Sequence, residues 1–247
     1  MDTHAPAANA GRRRLFLGML FLVLLMAAAP AASGAATAGS GDVDGDWRGA
    51  PAPISVLASS SPSAPAQVNL DAAAAVLMDA ASGRVILEKN AHERREPASV
   101  TKLMTLVLVF DAIAAGQITL DDKVQTSDRA ASMGGSQIYL EPGEEMTVRD
   151  LVIAVAIHSA NDASVALAEY VAGTEEAFVA RMNAKAQDLG MNDTHFVNSH
   201  GLDLPGKEAN MTSAYDIAVL SRYAVQYPEL LKYTGLWEHY IRQPPKQ

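Results

Sequence analysis

The 247-residue sequence contains no cysteine, and this absence excludes disulfide bonds, a cysteine nucleophile and cysteine metal sites. Basic residues are also few: 19 Lys and Arg stand against 28 Asp and Glu, which gives a formal net charge of −9. Beyond the N-terminus no basic region occurs, so the sequence predicts no binding to nucleic acid. The hydrophobic content of 49% and the charged content of 19% are typical of a globular protein.

The N-terminus has the three-part layout of a secretory signal peptide. Three arginines at 12–14 precede an apolar run, 15–26, and an alanine-rich stretch follows. We predict that residues 1–38 are a signal peptide, cleaved after Ala38, and that the protein acts in the periplasm or elsewhere outside the cytoplasm. The alternative is an uncleaved segment that associates with the membrane, although the run is short for a span. Residues 13–17 also resemble a twin-arginine signal, while the leucine-rich run favours Sec export.

Residues 39–66 have the composition of a linker. They are rich in Gly, Ser, Pro, Ala and Asp and show no apolar period, which is typical of a flexible segment. A folded domain is therefore predicted to begin near Gln67 and to occupy residues 67–247.

The apolar pattern of this domain predicts a mainly helical α+β fold with few strands. Two apolar-rich runs, 74–79 and 84–89, flank a turn and predict a β-hairpin. Pro97 precedes a strongly apolar helix with an i, i+3, i+4, i+7 pattern, which predicts a central helix that Gly116 ends. Residues 121–145 are interpreted as irregular. Further helices are predicted from Thr147 to about residue 157, over 163–172, over 174–189 and from Ser213 to Pro228.

Ser99 and Lys102 lie three positions apart near the start of the predicted central helix. Residues i and i+3 share one face of a helix, so the hydroxyl and the amine can meet. Serine is a poor nucleophile unless a base takes its proton, and a lysine with a lowered pKa can be that base. On position alone the commoner role of serine before a helix, an N-cap, is favoured.

Ser159 and Asn161 lie in a break between two predicted helices. From one tight loop the serine hydroxyl can pass a proton towards a leaving amine. The asparagine amide can donate to a substrate carbonyl and orient the lysine. Ser and Asn are also favoured turn residues, so this segment taken alone is more simply interpreted as a polar loop between helices.

Taken together, these segments resemble one family. Residues 97–105 are similar to the nucleophile segment of the low-molecular-mass penicillin-binding proteins that are D-alanyl-D-alanine carboxypeptidases, serine peptidase family S11. Residues 79–83, 159–163 and 194–203 resemble further segments of that family in the same order. The resemblance implies the β-lactamase/DD-peptidase (transpeptidase-like) α+β fold. It also implies a serine enzyme that removes the terminal D-alanine from peptidoglycan stem peptides through an acyl-enzyme.

The resemblance further implies a role for each candidate residue. Ser99 is expected to be the acylated nucleophile and Lys102 its general base. Ser159 is expected to shuttle the proton to the departing D-alanine, and Asn161 to bind substrate and hold Lys102. His200 lies in a matching segment and is expected to be structural. Peptidoglycan pentapeptides are the implied substrate and β-lactam antibiotics the implied covalent inhibitors, with no cofactor and no metal.

The sequence lacks the family's third motif, Lys-Thr-Gly. The string at residues 232–235 has an inserted tyrosine and is interpreted as chance. We therefore expect the catalytic domain to be truncated before this motif and the sheet to be incomplete. The alternatives are an inactive remnant of the family, or a β-lactamase or esterase of the same superfamily. A β-lactamase needs a deacylating carboxylate, and the sequence assigns that role to none of Glu169, Glu175 and Glu176.

Overall fold

The computed structural model describes residues 70–202, 206 and 208–242, which all belong to one compact unit, Asp46–Gln247. The architecture of this part is α+β, with two small antiparallel sheets beside a helical core. Its elements are β1 (Ala75–Met78), β2 (Val85–Lys89), a 3-10 turn (Ala98–Thr101), α1 (Lys102–Ala114), β3 (Lys123–Gln125), α2 (Asp128–Ala131), β4 (Glu145–Thr147), α3 (Val148–His158), α4 (Asn161–Ala172), α5 (Glu175–Asp188), α6 (Ala214–Ala224) and α7 (Pro228–Thr234). The predicted signal peptide, the predicted linker and the predicted domain start lie outside the described residues. Of the helices just given, none is long and apolar enough to cross a membrane.

The predicted hairpin is confirmed. Strands β1 and β2 pair antiparallel, with Leu77 opposite Leu87. In the turn, the Asp79 carboxylate accepts hydrogen bonds from the backbone N–H and the hydroxyl of Ser82. Arg222 of α6 donates to two carbonyl oxygens of the same turn. The hairpin is therefore fixed to α6, against which β1 packs.

Helix α1 is the central helix, as the sequence predicts. Every residue of α1 is buried or half-buried, because α3, α4, α5 and α6 pack around it. Gly116 ends the helix with a left-handed φ of +68°, and its N–H donates to the carbonyl of Ile113.

The prediction that residues 121–145 are irregular holds for most of them, but they also contain β3, α2 and the first residue of β4. Strand β3 pairs antiparallel with β4, with Val124 opposite Met146. Each strand has three residues and buries only the middle one. Such short strands do not carry the alternation of apolar and polar residues that identifies a strand in a sequence.

Helices α3, α5 and α6 begin where the sequence predicts, and each has a side-chain cap. The hydroxyls of Thr147, Thr174 and Ser213 each accept a hydrogen bond from the backbone N–H three positions later. Helix α4 begins two residues earlier than predicted, because Ser159 takes a left-handed conformation and Ala160 an extended one. The break between α3 and α4 is thus only two residues long.

The prediction that Pro228 ends the last helix is wrong. Helix α6 ends at Ala224, and Pro228 is the first residue of α7. Proline has a fixed φ and no N–H, which suits the first turn of a helix as well as it opposes a helix interior. Residues 232–235 lie at the end of α7, where Lys232 ion-pairs with Glu229, so this string is not on a strand.

A half-buried ion pair joins three helices of the core. Asp111 of α1 pairs with Lys185 of α5 at 2.7 Å, and it accepts hydrogen bonds from Tyr223 of α6 and from Tyr227. Burial alone would lower the pKa of Lys185, but Asp111 raises it overall, so this lysine stays charged. The cluster therefore stabilises the contact between α1, α5 and α6.

Replacing Asp111 with alanine is expected to lower the free energy of unfolding by about 2–4 kcal/mol, because it leaves the Lys185 charge in the core without its carboxylate. Chemical denaturation followed by circular dichroism measures the loss. Asp188→Ala, at the exposed end of α5, is the control and should change stability by no more than about 0.5 kcal/mol. Equal effects of the two substitutions would contradict a structural role for the cluster.

Candidate active site

Ser99 lies on the 3-10 turn that leads directly into α1. The residue before it, Ala98, has a φ of +47°, a left-handed conformation that is unfavourable for alanine. Ser99 is exposed, and its side chain caps neither the turn nor α1. Instead its Oγ accepts a hydrogen bond from Lys102 Nζ at 3.2 Å. The structure thus gives Ser99 no capping role and pairs it with the lysine.

Lys102 is the first residue of α1 and is only 3% exposed. Its Nζ donates a second hydrogen bond to the backbone carbonyl of His200 at 2.6 Å. Within the described part of the chain no carboxylate contacts this amine. Burial lowers the pKa of Lys102 from 10.5 to about 8.

This environment makes Lys102 a usable base. With a pKa near 8, about one tenth of the Lys102 side chains are neutral at pH 7, against about 0.03% at an unshifted pKa. A neutral amine at the same 3.2 Å can accept the proton of the Ser99 hydroxyl. The arrangement of Ser99 and Lys102 can therefore serve as a nucleophile and its base.

The carbonyl that holds Lys102 belongs to a loop, residues 198–202, which we call the histidine segment. The buried Asn210 side chain donates to Asn198 Oδ1 at 3.1 Å and to Thr101 Oγ1 at 2.9 Å. Asn198 Oδ1 in turn accepts hydrogen bonds from the N–H groups of His200 and Gly201. Asn210 thereby connects the histidine segment to the turn that carries Ser99.

Glu175, at the start of α5, contacts the middle of the histidine segment. Its Oε1 accepts hydrogen bonds from the backbone N–H of Ser199 at 3.1 Å and from the Ser199 hydroxyl at 2.8 Å. Its Oε2 pairs with Arg129 at 3.0 Å. Burial raises the pKa of Glu175, but the bonds from Ser199 and the charge of Arg129 outweigh it, so the pKa is lowered overall. Glu175 is thus a buried, charged carboxylate.

His200 is a neutral, buried member of this network. It is 1% exposed, and its Nδ1 accepts a hydrogen bond from the N–H of Leu202 at 3.0 Å. This assigns the ring proton to Nε2, which faces Glu175 Oε1 at 3.5 Å. Burial lowers the pKa of His200 to about 4. The His200 side chain is therefore buried and neutral, and it faces Glu175.

Gly201 sets the distance between the histidine segment and the turn that carries Ser99. Its φ is +74°, and a Cβ added there would lie 1.9 Å from the carbonyl oxygen of Ala98. Only a residue without a side chain allows this approach. The histidine segment consequently packs directly against the residue that precedes Ser99.

Ser159 and Asn161 lie at the junction of α3 and α4, and α4 packs against α1. Ser159 is half-buried, and its hydroxyl makes no hydrogen bond with a described residue. Asn161 is 3% exposed and donates from Nδ2 to the carbonyl of Gly134 at 2.7 Å. The expected contact of Asn161 with Lys102 is therefore not made in this structure. The asparagine instead fixes the loop that precedes β4, where Asp162 also accepts from two backbone N–H groups.

The sequence identifies Ser99 and Lys102 as a pair, but it does not identify the residues that hold the surrounding loop in place. Gly201 lies within the recognised segment 194–203 without a role, and Glu175 is considered only as a deacylating group. Asn210 has no signal in the sequence, because its partners lie about 12 and 109 positions away. Of the other carboxylates considered, Glu169 accepts from Ser127 and Glu176 is exposed, so neither touches Ser99. No cluster of three metal-ligating side chains occurs among the described residues.

Comparison with known proteins identifies the same family throughout. The sequence profile of the D-alanyl-D-alanine carboxypeptidase family, peptidase S11, matches residues 59–244. The D-alanyl-D-alanine carboxypeptidase DacF of Bacillus subtilis is 49% identical over 173 residues, which are 70% of this chain and 44% of DacF. The chain thus spans less than half the length of this relative.

Two solved structures show the same fold. The crystal structure of the D-alanyl-D-alanine carboxypeptidase DacD from Francisella tularensis superposes with a TM-score of 0.65 at 46% identity, over 69% of this chain and 41% of DacD. The ampicillin-bound penicillin-binding protein D2 from Listeria monocytogenes superposes with a TM-score of 0.60 at 31% identity, over 68% of each chain. The α+β DD-peptidase fold expected from the sequence, represented here mainly by its helical part, is confirmed.

Proposed function

Because the chain belongs to the D-alanyl-D-alanine carboxypeptidase family, peptidase S11, we propose that it is a serine-type carboxypeptidase that removes the terminal D-alanine from peptidoglycan stem peptides. The observation that carries this proposal is the contact between Ser99 and Lys102. The lysine is buried, has a lowered pKa and contacts no carboxylate of a described residue that could hold its charge. Lysines that serve as bases have this environment.

In the proposed reaction, Ser99 Oγ attacks the carbonyl carbon between the two terminal D-alanines. Lys102 takes the hydroxyl proton, and the bond from serine oxygen to carbon forms. The peptide C–N bond then breaks, the proton goes to the departing amine, and D-alanine leaves. Water attacks the ester on Ser99 in the second half of the reaction and regenerates the hydroxyl. The backbone N–H of Ser99 is proposed to donate to the oxyanion.

The α3–α4 junction supplies the remaining proposed groups. The Ser159 hydroxyl is half-buried and makes no hydrogen bond with a described residue, so it is proposed to relay the proton from Lys102 to the leaving amine. The Asn161 amide already donates to a backbone carbonyl, that of Gly134. It is proposed to donate in the same way to a carbonyl of the stem peptide.

Labelling with a fluorescent penicillin tests the nucleophile. β-Lactams are proposed covalent inhibitors, in line with the ampicillin-bound Listeria neighbour. The 247-residue chain should form a long-lived fluorescent adduct, and Ser99→Ala should form none. A folded wild-type chain that stays unlabelled would overturn the proposal.

Release of D-alanine from a pentapeptide tests the substrate class. The wild-type chain should release D-alanine from a peptide ending in D-Ala-D-Ala, and Ser99→Ala should not. Rapid turnover of penicillin with no release of D-alanine would instead show a β-lactamase. Labelling without either activity would keep the nucleophile and reject the proposed substrate.

The proposed place of action is outside the cytoplasm, where peptidoglycan is built. The support is the signal-like sequence of residues 1–38, which fits export by Sec or by the twin-arginine route. Cell fractionation of the tagged chain should recover it in the extracytoplasmic fraction, soluble after cleavage or on the membrane if the segment is retained. Recovery in the cytoplasm would contradict export.

A further inference from the structure

We propose that Glu175 is a positioning residue for Lys102: through Ser199 and His200 it holds the backbone carbonyl that accepts the hydrogen bond from the lysine amine. This inference rests on the proposed function of the Ser99–Lys102 pair. Glu175 contacts neither of those two residues, so its action on them is indirect.

The contacts run in an unbroken series from the carboxylate to the nucleophile. Glu175 Oε1 accepts two hydrogen bonds from Ser199 and lies 3.5 Å from His200 Nε2. The carbonyl of His200 accepts from Lys102 Nζ at 2.6 Å, and that amine donates to Ser99 Oγ at 3.2 Å. A shift of the Ser199–His200 peptide therefore moves the acceptor of the Lys102 amine.

Glu175 holds Ser199 through two groups that hydrogen-bond to no other described residue. The carbonyl of Ser199 accepts from Thr105 of α1 and Ser164 of α4, which fixes the Ser199–His200 peptide to the helical core. The N–H of Ser199, which belongs to the preceding peptide, and the Ser199 hydroxyl both donate to Glu175 Oε1. Hydrogen bonds to a charged carboxylate are about twice as strong as bonds between neutral groups. The buried charge is itself balanced by Arg129.

Loosening the histidine segment and removing the Glu175 charge should shift the pKa of Lys102 in opposite directions. The pKa of Lys102 is lowered by burial, so a loosened segment that admits water should raise it. Removing a nearby negative charge should lower it instead. Among the described residues, the other charged or titratable groups that interact with this site are His200, which interacts with Lys102, and Arg129, which interacts with Glu175. From α4 and α3, Asp162 and His158 make no hydrogen bond with this amine.

The test compares Glu175 with its neighbour Glu176. Both lie in the first turn of α5, but Glu175 is buried against the histidine segment and Glu176 is exposed. In Glu175→Gln the amide binds Ser199 less strongly, and its NH₂ group opposes Arg129, so the segment should loosen. We expect the pKa of Lys102, followed by NMR of ¹³C-labelled lysine, to rise by about one unit, which is about tenfold less neutral amine at pH 7. Glu176→Gln should leave this pKa unchanged.

Acylation by fluorescent penicillin gives the second readout. In Glu175→Gln the acid limb of the pH–rate profile for labelling should move about one pH unit higher. Labelling at pH 7 should then be about tenfold slower. Ser199→Ala removes one donor and no charge, and it should shift both readouts in the same direction by less. An unchanged or lowered Lys102 pKa in folded Glu175→Gln would overturn the inference. An unlabelled wild-type chain would reject the proposed function, while the NMR titration would still decide the role of Glu175.

Discussion

Replacing Lys102 with methionine is expected to slow acylation of Ser99 by fluorescent penicillin by about 10²–10⁴-fold, the usual contribution of a positioned general base. Methionine fills a similar buried volume but cannot take the Ser99 proton. No second base replaces it, because Lys102 is the one titratable side chain that hydrogen-bonds Ser99 in the described part of the chain. The measurement is the second-order rate of labelling at pH 7.

Two further lysine variants separate basicity from charge and from fold. Lys102→Arg keeps a cation at this position, but arginine does not deprotonate in this pH range, so its labelling should be as slow as that of Lys102→Met. Lys232→Met changes the exposed lysine of the string 232–235 and should label at the wild-type rate. Fast labelling of Lys102→Arg would show that charge, and not proton transfer, is what Lys102 supplies.

The lowered pKa of Lys102 also predicts a pH dependence of stability. Between about pH 8 and 10.5 the unfolded chain keeps a proton on this lysine that the folded chain has lost. The free energy of unfolding should therefore rise with pH across this window, by about 3 kcal/mol from this group. Lys102→Met should lack that rise. Denaturation of both proteins from pH 7 to 10.5 isolates the difference.

Replacing Gly201 with alanine is expected to destabilise the fold and to prevent labelling of Ser99. The new Cβ would meet the carbonyl oxygen of Ala98 at 1.9 Å, with the backbone at a φ of +74°. The left-handed conformation costs about 1–2 kcal/mol for alanine, and overpacking adds about 1–3 kcal/mol. The clash must push apart the histidine segment and the turn of Ser99. Denaturation and penicillin labelling measure the two losses.

Gly190→Ala is the matched control, because Gly190 also has a φ of +74° but no atom of another described residue lies within 4 Å of an added Cβ. It should show only the conformational cost, about 1–2 kcal/mol, with wild-type labelling. Similar losses in both variants would mean that the contact with Ala98 has no part in forming the site.

The sequence predicts the helical part of the fold well because its signals are local. The Thr147, Thr174 and Ser213 caps, the apolar run of α1 and the turn of the hairpin each act within a few residues. The sheet of β3 and β4 is not predictable in this way, because three residues with one buried side chain carry no pattern. Proline at 228 is ambiguous, since it suits the first turn of a helix as well as an end.

By itself the sequence determines that Ser99 and Lys102 can meet, because residues three positions apart lie on the same face of a helix wherever that helix lies. It also supplies the ordered motifs that place the chain in its family. Only the tertiary structure decides that Lys102 is buried beside the His200 carbonyl, and this burial lowers its pKa. The residues that support this arrangement, Glu175 and Gly201, lie about 70–100 positions after Lys102 in the sequence. Burial and desolvation arise from contacts between distant segments, and no local pattern encodes them.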